Sequence, residues 1–187
     1  MYLGEYLSSN LHANSPLNLA RFALHAMRIK TNLFVIFALL LSAACANAQK
    51  AEAVTLQQFQ KRLSEKDGKV LIVNFWATWC APCIHELPLF EKLNKENGDV
   101  EVLLVSMDYD LDPDPTKVER FIDRKKLESK VLFLTADNPN AWIDKIEKRW
   151  SGALPATLVI NPKTDKRQFV QGEVGEGQLE KLIEAVK

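Results

Sequence analysis

The sequence has few cysteines and no excess charge of either sign. It contains 3 cysteines among 187 residues, and its 24 basic side chains balance 24 acidic ones. So few cysteines exclude the disulfide framework of a small secreted domain. A balanced charge supplies no broad basic surface, so nucleic acid is not expected as a partner. The composition is that of an ordinary globular domain, which we expect to be a monomer.

The sequence also has no apolar run long enough to cross a membrane. Its longest run, Leu33–Leu41, has nine residues, whereas a spanning helix needs about 20. Basic residues precede this run from Met27 onward, and small residues follow it up to Ala48. That is the order of parts in a secretory signal peptide. We therefore predict an N-terminal extension and signal peptide over residues 1–48, with the signal proper from Met27, and an exported, periplasmic domain over residues 49–187.

Three questions about the N-terminal segment stay open. Residues 1–26 are mostly polar, which favours a translation start at Met27 over Met1. Ser42–Cys45 resembles the small-residue box before a lipidated cysteine, although Ser42 stands where Leu, Val or Ile is usual. Lipidation of Cys45, or an apolar segment that is not cleaved, would tether the domain to a membrane.

The mature domain keeps Cys80 and Cys83, and their close spacing indicates redox chemistry. A disulfide across so short a loop restricts the unfolded chain little, so stability is a weak reason for the pair. A zinc site needs four ligands, and His85 is the single histidine in this domain. Covalent haem needs a histidine directly after the second cysteine, where Ile84 stands. We therefore expect neither a metal nor a cofactor.

Apolar periodicity predicts alternating strands and helices along the mature domain. Strands are expected over residues 70–75, 100–107, 131–134, 156–161 and 167–171. Helices are expected over residues 54–63, from Cys80 to Asn97, and over 116–126, 138–149 and 178–186. An acidic, proline-broken segment, residues 108–115, reads as a solvated loop. The order predicts an α/β fold with a central sheet and helices on both faces.

The segment Trp76–Cys83, WATWCAPC, carries the predicted chemistry because it follows a buried strand and opens a helix. A helix N-terminus presents unpaired N–H groups and the positive end of the dipole, which stabilise a thiolate at Cys80. Cys80 is therefore predicted to attack a substrate disulfide, and Cys83, one turn later, to resolve the mixed disulfide. Pro82 is tolerated because a first-turn N–H needs no partner inside the helix.

Two motifs resemble the thioredoxin superfamily: FWATWCAPC and, about 70 residues later, GALPAT at residues 152–157. The resemblance extends over residues 54–187 in element order, and it implies a thioredoxin-like fold with a mixed sheet. It also implies a cis-proline at Pro155 that faces the cysteine pair as part of the catalytic site. Residues expected to contact the substrate are Trp79, Ala81, Pro82 and Leu154.

Finer features resemble the exported branch that includes the cytochrome c maturation reductants and membrane-tethered thioredoxin-like proteins. These features are Asn74 in the strand before the cysteines, Glu86 three residues after Cys83, and an extra helical segment within residues 112–126. The resemblance implies that Glu86 belongs to the catalytic group, where it tunes the thiols or handles protons. If Glu86 is buried, its pKa is expected to rise.

The leading functional prediction is a thiol–disulfide oxidoreductase that reduces disulfides in other exported proteins, with apocytochrome c as one candidate. It would take electrons from a membrane-embedded thiol reductase, because the compartment is oxidising. Two alternatives remain open: an exported disulfide oxidant or isomerase, and a thioredoxin-fold binding module without catalysis. A peroxide-reducing relative would need a peroxidatic cysteine in a different motif, which the sequence does not show.

Overall fold

A computed structural model describes residues 50–65 and 68–187 of the chain. The predicted signal peptide, its cleavage site and Cys45 therefore lie outside the described residues. None of the helices within the two described ranges is both long enough and apolar enough to cross a membrane.

The described residues form one mixed six-stranded sheet with the order β1-β4-β3-β2-β5-β6. Its strands are β1 Glu52–Thr55, β2 Val70–Trp76, β3 Val100–Ser106, β4 Lys130–Thr135, β5 Ala156–Asn161 and β6 Lys166–Gln171. The pairs β1–β4, β4–β3 and β3–β2 are parallel, whereas β2–β5 and β5–β6 are antiparallel. The predicted mixed sheet is thereby confirmed.

Helices cover both faces of the sheet, which confirms the predicted α/β architecture. They are α1 Leu56–Ser64, α2 Ala81–Glu96, α3 Thr116–Lys125, α4 Ile143–Ile146 and α5 Gln178–Val186, with short 3₁₀ helices at Asp108–Asp110 and Pro139–Ala141. One apolar core joins α2, α3 and α5 to one sheet face, and a second joins α1 and α4 to the other. The cysteine-bearing helix therefore shares its layer with α3 and α5.

Strand β2 lies at the centre of both cores because all seven of its residues are buried. Successive side chains of a strand point to opposite faces. Accordingly, Trp76 packs on Phe121 of α3, with ring centroids 5.0 Å apart, while Phe75 packs on Phe59 of α1 at 5.9 Å. Burial on both faces explains the nearly continuous apolar sequence of this strand. It also makes the carboxyl end of β2 a rigid base for the cysteine segment.

The helix predicted over residues 54–63 is present but starts two residues later, at Leu56. Residues 52–55 form strand β1, in which Val54 pairs with Leu134 of β4. Pairing along the sheet edge outweighs the helical spacing of the apolar side chains, since it satisfies the backbone groups of this segment. Helix α1 starts after Thr55, whose side chain accepts the Gln58 N–H at 3.2 Å, and Gln58 Oε1 accepts the Thr55 N–H at 2.8 Å.

The single helix predicted over residues 138–149 was wrong. This segment contains a 3₁₀ turn and the four-residue helix α4, and Glu147 is extended. The rings of Trp142 and Trp150 lie 6.2 Å apart in the same core. An unbroken helix would separate these two residues by about 12 Å along its axis. Packing of the two indoles therefore requires the helix to end early.

The capping box at the start of α1 leads to a stability prediction. Thr55→Ala should lower the free energy of unfolding by about 1 kcal/mol, because the Gln58 N–H loses its acceptor. Urea denaturation of the oxidised protein measures this change. Ser64→Ala, in the exposed last turn of the same helix, is the matched control. Equal losses in the two variants would contradict a specific role for the cap.

Candidate active site

The two cysteines lie where strand β2 gives way to helix α2. Cys80 is the N-cap of α2 and forms a disulfide with Cys83, with the two Cα atoms 5.3 Å apart. The Cys83 N–H donates a hydrogen bond to Cys80 Sγ at 3.3 Å. Cys80 is 5% exposed, whereas Cys83 is fully buried. Of the two sulfurs, that of Cys80 is therefore the one that a substrate can approach.

The N-cap position gives Cys80 its electrostatic environment. Its sulfur takes the place that a hydroxyl or carboxylate oxygen occupies at most helix N-termini, where it accepts a backbone N–H of the first turn. The positive end of the helix dipole acts on the same atom. Both effects stabilise a thiolate over a thiol once the disulfide is reduced. The structure thus supplies the environment that the sequence predicted for a nucleophilic Cys80.

Pro155 lies at the same edge of the sheet as the cysteines. The Leu154–Pro155 peptide bond is cis, which confirms the backbone feature implied by the thioredoxin resemblance. Strand β5 starts at the next residue, Ala156, which pairs with Phe75 of β2. Continuing this antiparallel register places Pro155 opposite Trp76, at the end of β2 from which the cysteine segment departs. The Pro155 carbonyl accepts the Gly172 N–H at 2.8 Å.

Trp150 and Gly152 hold the loop that leads to Pro155. The Trp150 indole stacks on Phe75, with centroids 4.3 Å apart, and its Nε1–H donates to the Ala153 carbonyl at 2.9 Å. Gly152 has a φ of +91°, and a Cβ there would lie 3.1 Å from Ile143 Cδ1. A side chain at Gly152 would therefore be strained and crowded.

Glu86 lies on the buried face of the cysteine helix and connects three elements. Asn74 of β2 donates to Glu86 Oε1 through Nδ2 at 2.7 Å, and the Val174 N–H donates to Glu86 Oε2 at 2.7 Å. Asn74 also donates to Thr157 Oγ1 of β5 at 3.2 Å. The carboxyl group thus links α2 to the central strands and to the segment between β6 and α5.

Burial changes the protonation of Glu86. The side chain is 3% exposed, and loss of hydration raises its pKa from 4.5 to about 7. The hydrogen bonds from Val174 and Asn74 lower the pKa, but burial outweighs them. The predicted rise is therefore confirmed. His85, the next residue, is exposed and forms an ion pair with Glu173, which raises the pKa of its imidazole.

Asp108 is a second buried carboxyl near the cysteines, and the sequence interpretation missed it. The sequence predicts a solvated loop over residues 108–115, but the Asp108 side chain is buried, with 2% of its surface exposed. Its Oδ2 accepts the Thr78 N–H at 3.0 Å and its Oδ1 accepts the Thr78 hydroxyl at 2.6 Å. Ser106 Oγ donates to the same carboxylate at 2.8 Å. The sequence contained a signal for this contact, because Thr78 follows β2 and Asp108 follows β3. The carboxyl ends of neighbouring parallel strands meet at one end of the sheet.

The residues expected to contact substrate differ in exposure. Trp79 is 53% exposed, and Ala81 and Pro82 are also exposed. Leu154 is half-buried and packs against both cores. Their contacts with a substrate remain predictions.

Comparison with known proteins identifies the family of the chain. A profile of the AhpC/TSA family matches residues 44–166, which include both cysteines and Pro155. The chain belongs to the AhpC/TSA family. This assignment agrees with the fold, because a thioredoxin-related protein from Neisseria meningitidis serogroup B is 29% identical and superposes with a TM-score of 0.54. That superposition covers 64% of this chain and 86% of the Neisseria protein.

Curated relatives of this AhpC/TSA family member support its enzyme class. Thiol-disulfide oxidoreductase ResA of Geobacillus kaustophilus is 31% identical over 71% of each chain. ResA of Oceanobacillus iheyensis is 34% identical over 67% of this chain, which spans 61% of that relative's length. These relatives confirm the class predicted from the sequence, a thiol–disulfide oxidoreductase.

The buried Glu86 carboxyl predicts a pH-dependent stability. Its folded pKa of about 7 lies above the ordinary 4.5, so protonated Glu86 favours folding at low pH. Between pH 4.5 and about 7, Glu86 ionises in the unfolded chain but stays protonated in the folded one. The free energy of unfolding therefore falls by about 3 kcal/mol in total as the pH rises. Urea denaturation of the oxidised protein between these two pH values measures the loss.

Glu86→Gln should remove most of this slope, because glutamine is neutral throughout and keeps an oxygen for the Val174 N–H. His85 also makes the folded protein less stable as the pH rises, because its pKa is raised. Comparing the wild type with this variant cancels that contribution, since both proteins contain His85. Glu96→Gln, at the exposed end of the same helix, controls for the loss of one negative charge. An undiminished slope in Glu86→Gln would refute the assignment.

Proposed function

We propose that the chain reduces disulfides in other exported proteins through a Cys80–Cys83 dithiol, with apocytochrome c as a candidate substrate. The observation that carries this proposal is the placement of Cys80 Sγ at the N-cap of α2, where it accepts the Cys83 N–H. The named activity of the ResA relatives supports the same chemistry.

The reaction begins with the reduced protein. The Cys80 thiolate attacks one sulfur of the substrate disulfide, a mixed disulfide forms, and the other substrate sulfur leaves as a thiolate that takes up a proton. Cys83 then attacks Cys80 Sγ, which releases the second substrate thiolate and forms the Cys80–Cys83 disulfide seen in the structure. Two electrons pass from the protein dithiol to the substrate, so the protein leaves the cycle oxidised.

Glu86 is the proposed proton acceptor for the second step. Cys83 is fully buried, and its thiol must lose a proton before it can attack. Glu86 follows three residues later on the same helix, so both side chains lie on one helix face. A carboxyl with a pKa of about 7 exchanges protons readily near neutral pH, which is the property required of such a group.

The proposed site of action is outside the cytoplasm, as the signal-peptide pattern ending at Ala48 supports. In an oxidising compartment the Cys80–Cys83 disulfide would accumulate unless it is reduced again. A membrane-embedded thiol reductase is the proposed electron donor, since it can carry electrons to that compartment. The same two cysteines would instead serve an oxidant or isomerase if their reduction potential were high.

Single cysteine substitutions should separate the two roles. Cys80→Ser should abolish reduction of insulin disulfides, because no accessible nucleophile remains. Cys83→Ser should keep the attack but lose resolution, so a mixed disulfide with the substrate should accumulate. Non-reducing electrophoresis and mass spectrometry detect this species. Accumulation in Cys80→Ser and not in Cys83→Ser would reverse the assigned roles.

The reduction potential should distinguish a reductant from an oxidant. Equilibrating the protein with glutathione or dithiothreitol and counting free thiols measures it. We expect a value near that of thioredoxin, about −270 mV, as a reductant requires. A value near −120 mV, at the oxidising end of the range, would contradict reduction of exported proteins and favour the oxidant alternative.

A further inference from the structure

Asp108 fixes two exposed segments to each other beside Cys80. Its carboxylate holds the backbone and hydroxyl of Thr78, two residues before Cys80. Its carbonyl accepts the N–H groups of Leu111 and Asp112 at 3.0 and 2.9 Å. One buried residue thus anchors both the cysteine segment and residues 108–112, so neither segment depends on solvent contacts for its position.

Each of these segments presents a large apolar side chain to solvent. Trp79 is 53% exposed and Leu111 is 71% exposed. They are the two large hydrophobic side chains that are mostly exposed in the described part of the chain. A single exposed leucine needs no explanation. Here, however, Trp79 and Leu111 lie on the two segments that Asp108 joins by hydrogen bonds, and one of these segments contains Cys80.

The charge beside Leu111 is negative. Asp110 is exposed and directly precedes Leu111, while the carboxylates of Asp112 and Asp114 accept backbone N–H groups of their own loop. The Asp110 carboxylate therefore faces solvent next to an apolar side chain. A partner segment that covers both would need an apolar residue and a cation.

We propose that Trp79, Leu111 and Asp110 form a substrate-binding edge beside Cys80. This edge accepts a segment that carries an apolar residue and a Lys or Arg next to its half-cystine. Asp108 is a positioning residue, which acts by aligning the two sides of the edge through Thr78. The inference rests on the proposed function and adds the chemical class of substrate that the site prefers.

Expected magnitudes follow from the groups involved. Filling the edge with a leucine side chain should favour binding about tenfold over serine, which is the scale of small apolar differences in a pocket. The cation contributes less, about two- to fivefold, since both charges are exposed. Salt should weaken the cation preference, because it screens exposed pairs.

The test uses the full chain and synthetic peptides that differ in the two residues flanking one cysteine: Leu-Arg, Ser-Arg and Leu-Glu. Disulfide-linked forms of these peptides give kcat/KM, and S-methylated forms give Kd from isothermal titration calorimetry without any turnover. Hydroxyethyl disulfide, which has no flanking residues, reports the chemistry alone. We expect the wild type to prefer Leu-Arg over Ser-Arg about tenfold in both Kd and kcat/KM.

Leu111→Ser should remove the preference for leucine, whereas Leu111→Met should keep it. Asp110→Asn should remove the preference for arginine and its salt dependence. Asp99→Asn is the matched control, because Asp99 is exposed and precedes β3, at the opposite end of that strand. Turnover of hydroxyethyl disulfide by the Asp99→Asn control should stay within about twofold of the wild type, because Asp99 belongs to neither the cysteine segment nor the binding edge.

Thr78 tests the positioning role of Asp108. Thr78→Val removes the hydroxyl that bonds Asp108 but keeps the side-chain shape, whereas Thr78→Ser keeps the hydroxyl. We expect Thr78→Val to reduce the Leu-Arg over Ser-Arg ratio, and Thr78→Ser to retain it. A merely structural role would lower all rates alike and leave the ratio unchanged.

The outcomes separate this inference from the proposed function. Equal Kd values for the Leu-Arg and Ser-Arg peptides, or an unchanged preference in Leu111→Ser, would overturn the binding edge even if hydroxyethyl disulfide is reduced. Failure to reduce hydroxyethyl disulfide would instead refute the proposed function, and the Kd ratios of the S-methylated peptides would still decide the edge.

Discussion

The structure depends on one junction, the point where the buried strand β2 ends and helix α2 begins with a sulfur as its N-cap. Burial on both faces makes β2 rigid, and the helix that follows aims its free N–H groups and the positive end of its dipole at Cys80. A thiol elsewhere on the surface would lack this stabilisation of its thiolate. The other features of the site position groups around that atom.

Two buried carboxyl groups flank the junction, and their environments suit different tasks. Glu86 lies on the buried face of α2, where burial outweighs its two hydrogen bonds and raises its pKa to about 7. That environment suits a group that exchanges protons. Asp108 lies at the sheet edge, where Thr78 and Ser106 donate to it. That environment suits a fixed anchor, since these hydrogen bonds hold the carboxyl group in one position.

The family and the local geometry answer different questions about this protein. Membership of the AhpC/TSA family and similarity to ResA proteins establish the class of chemistry. The electron donor, the direction of transfer and the substrate depend on features that vary within such a class. In this chain our proposals on these points rest on the environment of Cys80, the burial of Glu86 and the exposed side chains of Trp79 and Leu111.

The sequence by itself determined the features that depend on local order. The Cys80–Cys83 spacing after a buried apolar strand and the alternation of strands and helices were sufficient to predict the redox pair and the α/β sheet. The resemblance of FWATWCAPC and GALPAT to the thioredoxin superfamily implied the mixed sheet and the cis bond at Pro155. Tertiary structure alone decided which distant residues meet. Strand β1 forms because β4 is beside it, the helix after Pro139 ends because two tryptophans share a core, and Asp108 is buried because β3 ends beside Thr78. These contacts depend on how separate elements pack in three dimensions, which local spacing and composition alone do not determine.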